Sequence, residues 1–565
     1  MRSNSWFLNT AWMLKCSVEG ARFARACRRV GDVQLRLLLQ MLYANRDTDF
    51  GRAHRFGEIH DARAYQQRVP LATYDDFADG IRQIAAGRAN VLTAEPVRLL
   101  EPTSGTTGGE KLIPYTAGLR RQFQRGVATW IANLFRQRPA VREGRAYWSV
   151  SPMLGPGRRS PGGLPIGFED DAAYLGSIER FALRQLLVTP AEVAWLPDME
   201  SFRYATLLSL LAADDLTLIS VWSPTFLTAL LAPLAEWHER LCHDLRQGTL
   251  SPPTPASVKM ARPRARWLRS NPVRAKRLDR ILQSHAPWSE KLRRVWPRLA
   301  IISCWADAAA AHFIPELREL FPEVEIQPKG LLATEGLVSF PLIDRPGAVL
   351  ALRCHFFEFL EQGAHARCRL AHELDCGGRY RVVLTTAGGL YRYSLRDEVQ
   401  VVDFHQRCPL LRFLGKADAS SDLVGEKLAE PHIRVVLDRL MAAQSLRPRF
   451  VLLVPVLAQP ARYRLYIQAP GITGGSPLLG LLQKGLEDGL MENPYYRHAV
   501  AAGQLASAEV TALDPEGESA WLLYEQRCLA EGQRCGNIKP MALDPRAGWP
   551  EIFSCLQHEF ANGRK

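Results

Sequence analysis

Residues 101–116 read EPTSGTTGGEKLIPYT, a run of hydroxyl side chains and glycines that ends on a lysine and a short apolar stretch. Glycine lets the backbone approach a ligand closely, and successive backbone N–H groups can surround phosphate oxygens. A lysine adds a positive charge that can meet a phosphate. We therefore predict a phosphate-binding loop whose contacts come from Ser104, Gly105, Thr106, Thr107 and Lys111.

The loop differs from two common phosphate-binding motifs. Glu110 stands where a Walker A loop has its second glycine, directly before Lys111, and the GxGxxG pattern of a dinucleotide fold is missing. A glycine-rich turn alone is weak support for a nucleotide site. The combination of serine, two threonines, three glycines and a lysine in one run is more specific.

Around this loop the chain alternates between segments typical of strands and of helices. Residues 15–45 show the helical spacing of apolar side chains, and residues 226–245 indicate an amphipathic helix. Short apolar runs predict strands at residues 217–221, 299–304, 324–327, 380–385 and 399–404. Strands that alternate with helices favour an α/β fold with mainly parallel sheets.

A domain boundary is expected near residues 415–418, a polar stretch after a run typical of a strand. Beyond it the pattern becomes helix, strand (449–456), strand (463–467), helix and strand (506–512). We predict a large N-terminal domain at 1–414 and a small α+β C-terminal domain at 415–565.

Composition excludes several classes of protein. The 565 residues are 47% apolar and 23% charged, the balance of a soluble globular protein, and no run approaches the roughly 20 apolar residues that span a bilayer. Asn4, Asn9 and Lys15 interrupt any signal-peptide core, so we expect a cytoplasmic protein without stable membrane insertion. The eleven cysteines are scattered and indicate neither a disulfide framework nor a zinc site.

The net charge of +13 leaves two interpretations open. It could attract nucleic acid or an anionic membrane surface, or it could suit an enzyme with polyphosphate ligands. Segment 261–298 combines basic residues with tryptophans, but no nucleic-acid motif accompanies it, so a solvated basic helix is favoured and no nucleic-acid partner is expected. His238 and His243 lie five residues apart and do not form a zinc pair on one helix face.

The run at 101–116 resembles the phosphate loop of the adenylate-forming superfamily, and its KLIPYT end is similar to the Gretchen Hagen family of auxin-responsive acyl acid amido synthetases, bacterial members included. Three further stretches follow in the family's order: 331–336 (LLATEG), 385–397 (TTAGGLYRYSLRD) and 536–540 (GNIKP). The resemblance implies a large adenylate-forming domain and a small mobile C-terminal domain, with ATP and Mg²⁺ as cofactors.

The resemblance also implies roles for single residues. Glu335 matches the glutamate near Mg²⁺, which prefers hard oxygen ligands, and Asp397 matches the aspartate that accepts hydrogen bonds from the ribose. Lys539 would reach the active site during adenylation. Arg392 is the third catalytic candidate, and the remaining nucleotide contacts are expected from Thr334, Tyr391 and Lys416.

Two positions depart from the family pattern. Leu331 stands where a tyrosine is expected, and Arg396 stands where a glycine is expected before Asp397. Residues 416–418 and 425–427 resemble the superfamily's hinge and the turn after it, with Asp418 as the hinge candidate. Trp222 and Thr225 follow the strand at 217–221, a position from which they would line the acyl pocket.

Together these features predict a reaction in two steps: a small carboxylic acid and ATP give an acyl-adenylate, and an amino acid then accepts the acyl group as an amide. An acyl-CoA ligase would share the first step and form a thioester in the second. A non-catalytic protein that acts through its basic surface is the alternative of another class. The identities of the acid and of the amine are not predicted.

Overall fold

The structure, a computed structural model, describes residues 4–103, 111–149, 158–167, 185–196, 198–253, 268–361, 366–416, 420–421, 423–424, 426, 428–458, 460–501, 504–531, 533, 538–554 and 556. Within them the α-helices, α1 to α17 in chain order, are Asn4–Ala26, Val30–Ala44, Asp49–Ala53, Ala62–Arg68, Tyr74–Ala85, Ala117–Gln137, Met199–Ala212, Pro224–Leu231, Leu234–Gln247, Pro272–Leu282, Trp288–Val295, Ile314–Leu320, Glu430–Ala443, Leu478–Leu490, Pro494–Ala501, Ala520–Ala530 and Trp549–Ser554.

The strands of the described residues, β1 to β22 in chain order, are Val97–Thr103, Lys111–Thr116, Arg145–Trp148, Arg158–Arg159, Pro165–Ile166, Leu216–Ser220, Ile301–Cys304, Glu325–Pro328, Leu332–Ala333, Gly336–Leu337, Ser339–Pro341, Ala348–Leu350, Phe356–Leu360, Cys368–Leu370, Arg379–Thr385, Tyr393–His405, Cys408–Lys416, Ser420–Ser421, Leu428–Ala429, Phe450–Val456, Arg462–Gln468 and Glu509–Ala512. Mixed helices and sheets confirm the predicted fold class, and each strand predicted above overlaps one of these.

Parallel pairing is concentrated in one sheet of four strands, in the order β3-β6-β7-β8. Its strand β6 (LTLIS) is buried at all five positions, as expected for a strand covered on both faces. The largest sheet has seven strands in the order β11-β12-β17-β16-β15-β13-β14, with antiparallel ladders at β11–β12, β12–β17, β13–β14 and β13–β15. The sheets are therefore less parallel than the sequence predicts.

The helix predicted at residues 226–245 is two helices, α8 and α9, separated at Ala232 and Pro233. Proline has no N–H to donate and its ring collides with the preceding turn, so one helix ends before it and the next begins after it. Helix α9 is followed by Gly248, whose positive φ of 71° provides the left-handed C-cap that glycine favours.

In its described part, 268–298, the basic segment predicted to be a solvated helix contains one buried arginine. Arg274 of α10 is buried, and its guanidinium donates hydrogen bonds to the carbonyl groups of Leu211 at 3.0 Å and Val295 at 2.7 Å. Residues 261–267 of the same segment, Trp267 included, lie outside the described residues. None of the described helices combines the length and the apolar character needed to cross a bilayer.

The chain divides into two compact units. The larger comprises Met1–Trp305, Pro315–Leu395 and Val399–Arg412, and it contains the parallel sheet and most of the seven-stranded sheet. The smaller comprises Ala306–Ile314, Arg396–Glu398 and Phe413–Lys565. Its three-stranded sheet, β20-β21-β22, packs with α13 and α14 around an apolar core. The domain boundary at residue 415 stays a prediction.

Candidate functional site

The phosphate-binding loop predicted from the sequence connects the two strands of a hairpin. Strands β1 and β2 pair antiparallel, with Thr103 opposite Lys111 at the end where the loop connects them. The ammonium group of Lys111 lies 5.5 Å from the centre of the Tyr74 ring, and the Tyr74 hydroxyl accepts a hydrogen bond from the Leu112 N–H at 2.9 Å. Lys111 is thereby held at the base of the loop. The predicted contacts Ser104, Gly105, Thr106 and Thr107 lie outside the described residues.

Two side chains at the end of this loop motif form hydrogen bonds to the second and third motifs predicted from the sequence. The Tyr115 hydroxyl donates a hydrogen bond to the Thr334 carbonyl at 2.7 Å. The Thr116 hydroxyl caps α6 by accepting from the Leu119 N–H at 3.0 Å, and it donates to the Ala387 carbonyl at 3.0 Å. Thr334 is therefore held through its backbone, at the turn predicted to carry the magnesium ligand.

Glu335, the predicted magnesium ligand, is 9% exposed. The Tyr393 hydroxyl, which belongs to the third motif, donates a hydrogen bond to its Oε1 at 3.0 Å. The glutamate is thus oriented by a partner from a different part of the chain. A carboxylate with this burial and one oriented oxygen is a suitable ligand for Mg²⁺, which prefers hard oxygen donors.

The structure corrects the prediction for Tyr391. Its side chain is fully buried, its ring stacks on Phe50 with the centres 4.8 Å apart, and its hydroxyl donates to the Leu92 carbonyl at 2.8 Å. A side chain with no exposed surface cannot contact a nucleotide. Tyr391 is a core residue, and Tyr393 is the tyrosine of this run that contacts Glu335.

Arg392 has a positive φ of 45° and a buried guanidinium, and the prediction that it is a catalytic group is also corrected. Its Nε donates to both oxygens of Glu358 at 3.1 Å, and its Nη1 donates to the carbonyl groups of Gln66 and Val69 at 2.9 and 2.7 Å. These bonds are directed into the protein. Arg392 therefore positions the segment that carries Tyr393.

A buried histidine connects α6 to the second and third motifs. The His355 Nε2 accepts a hydrogen bond from the Leu337 N–H at 3.1 Å, so its Nδ1 carries the proton and donates to Gln122 Oε1 at 3.0 Å. The same Gln122 oxygen accepts from the Ala387 N–H at 3.0 Å. Burial, together with the positive charge of Arg125, lowers the pKa of His355 to about 3. The imidazole is neutral at pH 7.

The neutral state of His355 predicts a pH-dependent contribution to stability. In the unfolded chain the imidazole binds a proton near pH 6.5, whereas in the folded protein it does not, so its contribution is present above that pH and is lost as the pH falls. Replacing His355 by glutamine, which does not titrate, destabilises the protein at pH 7. We expect the difference in unfolding free energy between the two proteins to shrink by about 2 kcal/mol at pH 5. Denaturant unfolding at both pH values measures it.

The exposed His60 provides the control, because His60→Gln is expected to leave the unfolding free energy unchanged at either pH. If the difference in unfolding free energy between the wild type and His355→Gln were the same at pH 7 and at pH 5, the assignment of His355 as neutral would be contradicted.

In the smaller unit, Asp397 is a buried carboxylate with an unfilled acceptor. Its Oδ1 lies 3.7 Å from the Lys416 ammonium, and among the described residues this oxygen accepts no hydrogen bond. A buried carboxylate oxygen requires a donor, and the two hydroxyl groups of a ribose are donors. The preceding Arg396 has a φ of 59°, the left-handed conformation that favours the glycine expected there.

Lys539, also in the smaller unit, has its backbone carbonyl fixed by a hydrogen bond from the Tyr524 hydroxyl at 3.2 Å. Its ammonium lies 5.5 Å from the centre of the Phe413 ring. The hinge candidate Asp418 and residues Gly425 and Lys427 lie outside the described residues, as do Gly536 and Asn537. The described Glu426 is fully buried and accepts from the N–H groups of Leu423 and Val424.

A cluster of tryptophans surrounds a lysine at the carboxyl ends of the four parallel strands, the edge of an α/β sheet at which ligands bind. Trp148 ends β3, Trp222 follows β6, Trp305 follows β7 and Lys329 follows β8. The rings of Trp222 and Trp305 are 5.7 Å apart, and that of Trp148 lies 6.0 Å from Trp130 of α6. We call these five residues the tryptophan cluster.

The predicted substrate residues differ in their surroundings. Trp222 belongs to the cluster and is half-buried, so its ring is available to a ligand. Thr225 is buried and its hydroxyl hydrogen-bonds to that of Ser223 at 2.5 Å, so it stabilises the first turn of α8 and does not line a pocket. The sequence reasoning missed Lys329 and Trp305. In the sequence, the feature that could have indicated them is that each lies within two residues of the end of a predicted strand.

Lys329 is the charged member of this cluster. Its ammonium donates a hydrogen bond to the Ser220 hydroxyl at 2.7 Å and lies 5.1 Å from the ring centre of Trp222 and 5.4 Å from that of Trp130. Desolvation lowers the pKa of Lys329 to about 8. The lysine is therefore protonated for the most part at pH 7 and surrounded by aromatic faces.

Comparison with known families matches two parts of the chain. The model of the GH3 family N-terminal domain matches residues 20–326, and that of the GH3 family central domain matches residues 348–416. A curated protein of Oryza sativa subsp. indica, indole-3-acetic acid-amido synthetase GH3.8, is 27% identical over 536 residues, which cover 88% of this chain and 86% of that protein. The probable indole-3-acetic acid-amido synthetase GH3.12 of Oryza sativa subsp. japonica is 27% identical over 461 residues, 74% of each chain.

Solved structures share the fold. The GH3.15 acyl acid amido synthetase superposes with a TM-score of 0.79 at 19% identity, covering 95% of both chains. A second structure of that enzyme, described as a complex of AtGH3.15 with 2,4-DB, gives the same TM-score, identity and coverage. The similarity in fold thus extends over nearly the whole of both chains.

Proposed function

The chain belongs to the GH3 family, and from this premise we propose that it activates a carboxylic acid with ATP and transfers the acyl group to an amino acid. One observation carries the proposal: hydrogen bonds from Tyr115, Thr116 and Tyr393 join the three nucleotide motifs in the larger unit. Residues that are far apart in sequence are thereby brought together beside β2, the strand that follows the predicted phosphate loop.

In the first step a carboxylate oxygen attacks the α-phosphate of ATP, the bond to the β-phosphate breaks, and acyl-AMP and pyrophosphate form. In the second step the amine of an amino acid attacks the acyl carbon, the bond to AMP breaks, and the amide, AMP and a proton are released. Mg²⁺ neutralises charge on the phosphates when it is bound. The protein orients the reactants and stabilises the developing charge.

The residues divide these tasks. We propose Glu335 as the Mg²⁺ ligand, with Tyr393 fixing its orientation. We propose that phosphate is bound by Ser104, Gly105, Thr106, Thr107 and Lys111. Lys111 would contribute a positive charge at the start of β2, next to the loop. Asp397 is proposed to accept hydrogen bonds from the ribose, a role supported by its unfilled Oδ1. Lys416, whose ammonium lies 3.7 Å from that oxygen, is proposed to contact the nucleotide beside it.

The acyl pocket is proposed at the tryptophan cluster. Indole faces favour flat apolar ligands, and the curated relatives are named for an indole-containing acid. The small domain is proposed to begin near residue 415 and to move about a hinge at Asp418. Such a movement would exclude water during adenylation and then admit the amine.

Product analysis tests the proposed function. We expect an N-acyl amino acid together with AMP after incubation with Mg-ATP, a panel of carboxylic acids, the twenty amino acids and coenzyme A, with the products identified by mass spectrometry. Both must depend on the acid and on the amino acid. Formation of an acyl-CoA without an amide would show a thioester-forming ligase, and AMP release with no acid requirement would contradict the proposal.

A further inference from the structure

The tryptophan cluster contains a cation that has no anionic partner among the described residues. Lys329 is half-buried, and its described polar contact is one hydrogen bond, to the neutral Ser220 hydroxyl. An ammonium group has three N–H donors, so two remain for a ligand. Partly desolvated charges in proteins are normally paired, because removing a charge from water is costly unless an opposite charge compensates. The cluster therefore lacks an anion that a ligand can supply.

The aromatic residues define the rest of that ligand. Trp222 and Trp130 lie beside the ammonium, while Trp305 and Trp148 extend the aromatic surface to the neighbouring strands. Faces of this kind favour a flat aromatic body. A single acceptor at Lys329 would then fix the orientation of the body within the cluster.

We propose that Lys329 binds a second anionic group of the acyl substrate, so that the acid is aromatic and carries two negative charges. This inference rests on the proposed function and specifies its substrate class. One negative charge is the carboxylate that becomes the acyl-adenylate, and the other remains ionised throughout both steps. The side chain selects the substrate and takes no part in bond formation.

The reacting carboxylate is the weaker candidate for the partner of Lys329. It loses its charge when it attacks the α-phosphate, so a cation fixed on it would stabilise the bound acid more than the transition state and would slow the reaction. An anionic group at the other end of the substrate keeps its charge from binding to release. Its attraction to Lys329 lowers the energy of every bound state equally and provides affinity and orientation.

Matched acids test the proposal. Terephthalate is compared with 4-methylbenzoate and isophthalate with 3-methylbenzoate, so that each pair differs in one charged group. For at least one pair, the wild type is expected to release pyrophosphate with a kcat/KM that is about tenfold or more higher for the diacid than for the methyl acid. Lys329→Met is expected to lower that preference about tenfold. Lys329→Arg should retain part of the preference.

Lys291→Met is the control, because Lys291 also lies over a tryptophan ring, 4.9 Å from the centre of Trp288, but outside the cluster. It should behave as the wild type. Quenching of tryptophan fluorescence by each acid, without ATP, reports binding independently of turnover. Diacid binding that depends on Lys329 without pyrophosphate release would support the anion site and contradict the proposed function. Equal diacid preference in the wild type and Lys329→Met, or no preference in the wild type by either measurement, would overturn the inference.

Discussion

Alanine at Lys539 is expected to slow acid-dependent pyrophosphate release by about 10²–10³-fold. When the carboxylate attacks the α-phosphate, negative charge accumulates on the transferring oxygens, and a positioned ammonium stabilises it most at that moment. The Tyr524 hydroxyl holds the Lys539 backbone in place, and the Phe413 ring lies beside the ammonium. Transfer from a preformed acyl-adenylate to the amino acid should change far less, because the proposed hinge movement carries Lys539 away from the reacting atoms before that step.

The two steps can be measured separately, as ATP–pyrophosphate exchange and as single-turnover conversion of a synthetic acyl-adenylate. Lys484, exposed on α14, provides a control in the same unit, and Lys484→Ala is expected to change neither rate. Equal thermal unfolding of the three proteins establishes that the fold is intact. An equal loss in both steps, or an unchanged exchange rate, would be incompatible with a role for Lys539 in adenylation alone.

The nucleotide motifs could be recognised in the sequence because their residues are contiguous. The run 104–111 keeps its hydroxyl groups, glycines and lysine within a few positions, and these residue types indicate phosphate binding, whereas the stretch 331–336 was assigned through its resemblance to the family. The buried strands could also be predicted from the sequence. Strand β6 is buried along its length because both of its faces are covered, and three of its five residues are apolar.

Tertiary neighbours decide what the sequence could not indicate. Tyr391 and Tyr393 are both tyrosines of one short run, yet the first stacks on Phe50 in the core and the second reaches Glu335. Their different surroundings in the fold, which include the packing of α3 on Tyr391, distinguish them. In the sequence, Lys329 is a lone lysine after a short predicted strand. It belongs to the tryptophan cluster because the four parallel strands bring their carboxyl ends together.

Removing the carboxylate of Glu358 is expected to destabilise the protein by about 3–5 kcal/mol. Glu358 is 1% exposed and is the ionic partner of Arg392, whose guanidinium is also buried. Glu358→Ala would leave a cation without its counter-charge in a site closed to water, and that penalty exceeds what the intact pair contributes. Because Arg392 directly precedes Tyr393, the hydrogen bond from Tyr393 to Glu335 should also weaken and adenylation should slow. Denaturant unfolding and ATP–pyrophosphate exchange measure the two effects.

Two further variants separate the cost of an unpaired charge from the loss of packing. Glu358→Ala combined with Arg392→Met removes both charges, and we expect it to recover most of the lost stability, because no buried ion remains. Glu361→Ala breaks the neighbouring ion pair with Arg369. Both side chains of that pair are partly exposed to water, so only a small change in unfolding free energy is expected. If the double variant were as unstable as Glu358→Ala, packing around the carboxylate would be the cause. If Glu358→Ala were as stable as the wild type, the pair would not hold the third motif in place, and Tyr393 would owe its orientation to the surrounding strands.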